Sequence, residues 1–175
     1  MRIPVESSTS YRGRNARPNY AVLLAFVGLA LAAGGLEFWF SPAHSAAAAS
    51  WYATLGKPPW APAGRWLAPV WVVLYVLMGT AAWMVSRERY HARHRAALAA
   101  YFVQLLLNAA WAPLFFGARN VGAGLFVMAS LWLALAGTLR EFLRVRAPAA
   151  VLLLPYLVWV TFLMASNLSV WRLNQ

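Results

Sequence analysis

Residues Leu67 to Ser86 read LAPVWVVLYVLMGTAAWMVS, twenty residues without one formal charge. At 1.5 Å per residue, a helix of this length spans the roughly 30 Å of hydrocarbon in a bilayer. The run lacks the polar/apolar alternation of a barrel strand. No water is available inside a bilayer to satisfy a bare backbone, so a helix is the remaining way to cross it. Working outward from this stretch gives four more runs of the same kind: Tyr20–Phe40, Ala96–Phe116, Val121–Leu139 and Ala149–Trp171. Only the first holds a charge, Glu37 near its end. The pattern predicts an all-α, multi-pass membrane protein, a bundle of five transmembrane helices over residues 19–175 behind a basic, disordered tail at 1–18.

Composition agrees. Of 175 residues, 62% are hydrophobic and 11% charged, whereas a soluble domain carries about 25% charged residues. There are too few charges to coat a water-facing surface. The net charge of +11 would suggest nucleic acid in a soluble protein. Here the arginines sit in clusters between apolar runs, which points to anionic lipid headgroups and away from nucleic acid. The absence of cysteine excludes disulfides, thiolate metal sites and cysteine nucleophiles.

Lysine and arginine counts set the orientation. One side receives Arg2, Arg12, Arg14, Arg17, Arg87, Arg89, Arg93, Arg95, Arg140, Arg144 and Arg146, eleven in all; the other receives Lys57, Arg65, Arg119 and Arg172. The bias predicts a cytoplasmic N-terminus in a bacterial inner membrane, with an outer membrane as the alternative. The basic leader, the first apolar run and the small residues at Ser45–Ala49 also resemble a signal peptide. The run exceeds the 7–15 apolar residues of such a core, so a retained helix is expected.

The connections are unequal: Gly117–Asn120 is a tight turn, whereas Ser41–Trp66 is a long link carrying Trp51, Tyr52, Trp60 and Trp66. A loop of that length is more often functional than decorative. Its Lys57-Pro58-Pro59-Trp60-Ala61-Pro62 segment cannot be mid-helix. It is either an interfacial crust, with Trp39, Trp66, Trp83 and Trp171 as belt residues, or a lid over a cavity. In the second run Trp71 and Tyr75 share a face at i, i+4. Gln104, Asn108, Trp111 and Phe115 form one stripe of the third, and Pro155, Trp159, Phe162 and Ser166 one of the fifth, with Asn167 beside it. All of these lie in the half of the bundle beneath the long loop. Taken alone, Gln104 and Asn108 read as helix–helix glue. Together with the rings they describe an aromatic-walled pocket with a few fixed polar groups, suited to a flat, conjugated, hydrophobic guest. Small residues Gly28, Ala32 and Gly35, and Ser130, Ala134 and Gly137, mark packing or dimer surfaces.

Conventional catalysis has little support. His44, His91 and His94 lie in loops and none has metal-ligand spacing; only His44 could reach a haem iron beneath the loop. Glu37 is expected to snorkel or to pair with Arg65 or Lys57. No cofactor is required by any of these patterns.

Several ordered motifs carry a family resemblance. They are Trp51-Tyr52-x-x-Leu55-x-Lys57-Pro58-x-Trp60-x-Pro62, Pro69-x-Trp71 with Tyr75 and Gly79, Gln104-x-x-x-Asn108-x-x-Trp111-x-Pro113-x-Phe115-Phe116-Gly117, Pro155-Tyr156-x-x-Trp159, and Asn167-x-x-x-Trp171-Arg172. Together they resemble the TspO/MBR family, the tryptophan-rich sensory proteins of bacteria and the mitochondrial translocator protein. The resemblance implies five helices, a homodimer, and a pocket under the first loop that binds porphyrins and haem. It would involve Tyr52, Trp71, Asn108, Trp111 and Trp159, with Trp60 and Pro62 in the lid. It also implies two alternatives: light-dependent porphyrin breakdown through a Trp71–Trp159 pair, and transport of porphyrin or small solutes. One departure stands out. The family's sterol pattern needs a tyrosine shortly before the final arginine, where this chain has Leu168 and Ser169, so sterol binding is expected to be weak.

Overall fold

The computed structural model describes residues 19–62 and 64–175, without the side chains of residues 64–66; the tail at 1–18 and the side chains of Arg65 and Trp66 lie outside the described residues. The Asn19 side chain accepts from the Ala21 N–H at 3.1 Å and starts α1, Tyr20–Phe40. That bond fills one of the donors a helix N-terminus leaves open. The long link contains a helix the sequence reading did not anticipate, α2, Ala46–Thr54, capped by Ser45 through the Ala48 N–H at 3.2 Å. Then follow α3, Gly64–Ser86, with Pro69 inside it, and α4, His94–Ala112. α4 runs on into one wide π-type turn, Pro113–Gly117, closed by Ala118 N–H to Pro113 O at 2.8 Å. Asn120 caps α5, Val121–Val145. α6, Ala147–Val151, and α7, Leu154–Leu173, complete the chain.

Among the described residues, five helical spans are long and apolar enough to cross a membrane: Tyr20–Phe40, Leu67–Ser86, His94–Gly117, Val121–Val145 and Ala147–Leu173. The last three exceed the bounds expected from uncharged runs, for physical reasons. α5 continues past Leu139 because Glu141 pairs with Arg144 one turn on, at 3.0 Å, and with Arg93 at 3.2 Å, while Phe142 remains wholly buried. The helix thus leaves hydrocarbon without ending. The fifth span breaks between α6 and α7 just before Pro155, which has no N–H for the preceding turn.

α1 packs on α3 and α4, α4 on α5, and α5 on α6 and α7, while α3 closes against α6. The crossing of α1 and α3 is tight: a Cβ on Gly79 would stand 2.6 Å from the Val27 Cα. Gly28, Gly35 and Gly137 have open space where a Cβ would go. Gly28 and Gly137 are exposed with no helix against them, Gly35 borders open space between α1 and α3, and Gly34 and Gly79 make the close α1–α3 approaches. The core lies toward the basic end, in Met78, Ala81, Ala82, Val85, Tyr101, Leu131, Leu135 and Leu153. There Glu88 pairs with Arg146. Outward, large apolar side chains such as Leu24, Leu106, Phe126 and Val158 are exposed, as a bilayer-facing surface requires.

Candidate functional site

At the loop end the bundle is hollow. A cavity of about 490 Å³ lies between α1, α3, the end of α4, α7 and the long link. Its rings are Phe38, Tyr52, Trp71, Tyr75, Trp111, Phe115 and Phe116. Local sequence explains each placement. Trp71 and Tyr75 are one turn apart on α3 and stack at 5.5 Å between centroids. Trp111 stacks on Phe115 at 5.2 Å, with planes 19° apart. The wide turn after Ala112 lets Phe115 and Phe116 both meet the loop: Trp51 lies edge-on to Phe115 at 5.6 Å, and Tyr52 edge-on to Phe116 at 5.6 Å. These are the edge and offset arrangements that aromatic quadrupoles favour.

The loop is held as a roof. Lys57 Nζ donates to the Tyr52 and Leu55 carbonyls, at 2.7 and 2.9 Å, and lies 4.7 Å from the Tyr52 ring centre. An ammonium at these carbonyls complements the negative end of α2. The Asn174 side chain clasps Gly56, accepting from its N–H at 2.9 Å and donating to its carbonyl at 3.0 Å. Burial pushes the Tyr52 phenol above its ordinary value of 10, so it remains a neutral donor at physiological pH.

Of the expected site residues, Tyr52, Pro62, Trp71, Tyr75, Trp111, Phe115 and Asn167 line the cavity, with Ser166 beside Asn167. Others stand elsewhere. Gln104 is wholly buried toward the core, its Nε2 3.0 Å from the Met78 sulfur. Asn108 is buried behind the wall, and neither polar atom of its side chain has a hydrogen-bond partner among the described residues. Trp159 and Trp60 both lean on Phe162, at 5.6 and 5.8 Å, forming a separate aromatic cluster beside the cavity. The face of α7 that meets the cavity is Leu163, Ser166, Asn167 and Val170. It meets the expected Pro155–Trp159–Phe162–Ser166 stripe only at Ser166, with Asn167 beside it, and Pro155 is exposed. Trp71 lies against Tyr156, edge-on at 6.1 Å, rather than against Trp159. His44 sits over Trp39 at 4.5 Å in a different surface recess with Arg119.

Three contributions escaped the sequence reading. Tyr156, quoted only as part of a motif, is wholly buried behind Trp71. α1 supplies Leu31, Gly34, Gly35 and Phe38; its apolar residues surround it on all sides, and the one stripe marked on it, Gly28, Ala32 and Gly35, pointed to packing rather than to a cavity wall. Glu37 neither snorkels nor pairs with Lys57. It is buried in the cavity wall, where Tyr75 Oη donates to its Oε2 at 2.7 Å. The proposed Arg65 pairing concerns a side chain outside the described residues.

Five membrane-length spans, four of which enclose an aromatic-lined cavity beneath a proline-stiffened loop, define a class: a polytopic helical membrane protein. The TspO/MBR family model matches residues 26–172, and the chain belongs to that family. It is 37% identical over 150 residues to the tryptophan-rich protein TspO of Chlorobaculum tepidum, covering 85% of this chain and 92% of that one. It is 39% identical over 125 residues to the tryptophan-rich sensory protein of Cereibacter sphaeroides, covering 71% and 77%. With the translocator protein of Bos taurus it shares 43% identity over 128 residues, covering 71% and 75%.

Proposed function

We propose that this protein binds tetrapyrroles, protoporphyrin IX or haem, in the cavity beneath the loop, and serves a sensory, regulatory or trafficking role in its membrane. The observation that carries this reading is the cavity itself. Its volume of about 490 Å³ falls within the 300–1,000 Å³ of small-molecule sites, and its walls are mostly rings that offer faces and edges to a flat conjugated guest. In this reading the tetrapyrrole is a ligand rather than a resident cofactor. The family resemblance adds a homodimer to the reading, and the open faces at Gly28 and Gly137 leave room for a close helix approach from a second copy. The orientation follows the arginine bias: roof outside, basic end in the cytoplasm.

Titration of the purified protein with protoporphyrin IX tests the reading. Saturable quenching of tryptophan fluorescence is expected, because Trp71 and Trp111 line the cavity. Linear, non-saturating quenching would remove it. The photo-oxidative alternative draws on Trp71, whose indole borders the cavity. A new absorbing product formed over repeated turnovers in light, and lost in Trp71→Phe, would favour it over binding alone. Sterol affinity is expected well below that for porphyrin, and Leu168→Tyr is expected to raise it.

A further inference from the structure

Glu37 is the one acidic residue within the apolar spans read from the sequence, and it is only 7% exposed. It stands one turn from Gly34 on α1, on the face turned toward α3. A Cβ on Gly34 would fall 2.3 Å from the Tyr75 ring. The glycine therefore gives the phenol room to lie against α1 and reach the carboxyl. Tyr75 fills one carboxyl oxygen; Oε1 is buried with no hydrogen-bond partner among the described residues. The loop's Lys57 donates to two backbone carbonyls instead. Every described salt bridge lies at the basic end. A buried carboxyl with an empty acceptor site is costly unless something donates to it. This one borders an open, ring-lined cavity.

We propose that Glu37 is a ligand anchor, and that the cavity prefers flat lipophilic guests bearing a cationic or hydrogen-bond-donating nitrogen, which donates to Glu37 Oε1 while the rings hold the rest. The proposal deepens the reading of the cavity as a ligand site and does not depend on the guest being a tetrapyrrole. Tyr75 is the positioning residue: its hydroxyl fixes the carboxyl so that one oxygen stays free.

The test compares two fluorescent probes of one shape, pyrenemethylamine and pyrenemethanol, on the purified protein in nanodiscs of zwitterionic lipid. Binding is read as energy transfer from tryptophan to pyrene. The amine is expected to bind roughly tenfold or more tighter than the alcohol, the scale of one charge-assisted hydrogen bond. Glu37→Gln should abolish the preference, bringing the amine to the alcohol's affinity or below it, while the amide carbonyl can still accept from Tyr75 and keep the wall in place. Tyr75→Phe should retain a preference, because the carboxyl remains. Equal binding of the two probes by the native protein would overturn the proposal without recourse to any variant. So would a preference that survives Glu37→Gln, or one that disappears only in Tyr75→Phe. If the amine preference is found and protoporphyrin IX fails to bind, the anchor stands and the tetrapyrrole reading falls. Saturable porphyrin binding without an amine preference has the opposite meaning.

Discussion

Toward the basic end, α3, α4 and α5 meet through Met78, Ala82, Val85, Ala97, Tyr101, Leu135 and Phe142, all without exposure. Toward the loop end, the walls contributed by α3 and α4 carry Trp71, Tyr75, Trp111 and Phe115 around about 490 Å³ of empty space. The helices are continuous, and what changes along them is the side-chain inventory. Small residues and flexible chains interdigitate to close-packed density. Large planar rings braced on one another at 4.8–5.5 Å cannot collapse into the gap they surround. One half of the bundle is spent on holding the fold, which leaves the other free to remain open.

Perturbations of the two halves should therefore separate. The largest effect is expected from Phe142→Ala in the packed half. Removing a wholly buried ring costs about 3–5 kcal/mol, a fall on the order of 10 °C in thermal midpoint in detergent. Porphyrin affinity, measured well below that midpoint, should be nearly native. Next comes Trp71→Leu in the hollow half. Loss of one ring contact, about 1.4 kcal/mol, weakens protoporphyrin binding roughly tenfold, with a change of only a few degrees in midpoint because the site already adjoins space. A variant that loses affinity and stability together would break the comparison. Asn174→Ala removes both bonds to Gly56. At about 0.5–1.5 kcal/mol per bond, stopped-flow should show porphyrin leaving several-fold faster. An unchanged off-rate would mean the roof is not held from α7. The smallest effect belongs to Trp83→Phe. That indole stacks on Tyr20 at 6.5 Å and donates to the Asn19 carbonyl, at the far end of α3, so binding should match the native protein.

How far the sequence could be read follows from the kind of signal each feature leaves. Five spans were legible because hydrocarbon thickness sets a length that uncharged runs either meet or do not. Trp71, Tyr75, Trp111 and Phe115 were legible because helical spacing and motif order both selected them. The stripe on the fifth span was drawn about one residue out of phase. Tryptophans at Trp159 and at the lid drew attention to one face; of that stripe only Ser166, with Asn167 beside it, reaches the wall, which Leu163 and Val170 complete. Residue type does not tell which side of an all-apolar helix turns inward. α2 was missed because its run of alanines resembled a processing site more than a helix start, although Ser45 stood ready as its cap. Glu37 was misjudged because its partner is a phenol from another span, and no spacing within one helix announces such a bond.

The cavity also reaches the surface between α1 and α3, where Leu31, Phe38 and Val72 border it and remain 37–53% exposed. A rim of hydrocarbon side chains on membrane-crossing helices faces acyl chains rather than water. For a guest that dissolves in the bilayer, the reservoir is therefore two-dimensional, and occupancy depends on its mole fraction in the lipid. An affinity quoted per litre of buffer would drift with the amount of lipid present. Expressed per lipid, it should stay constant as nanodiscs or vesicles are diluted at fixed composition.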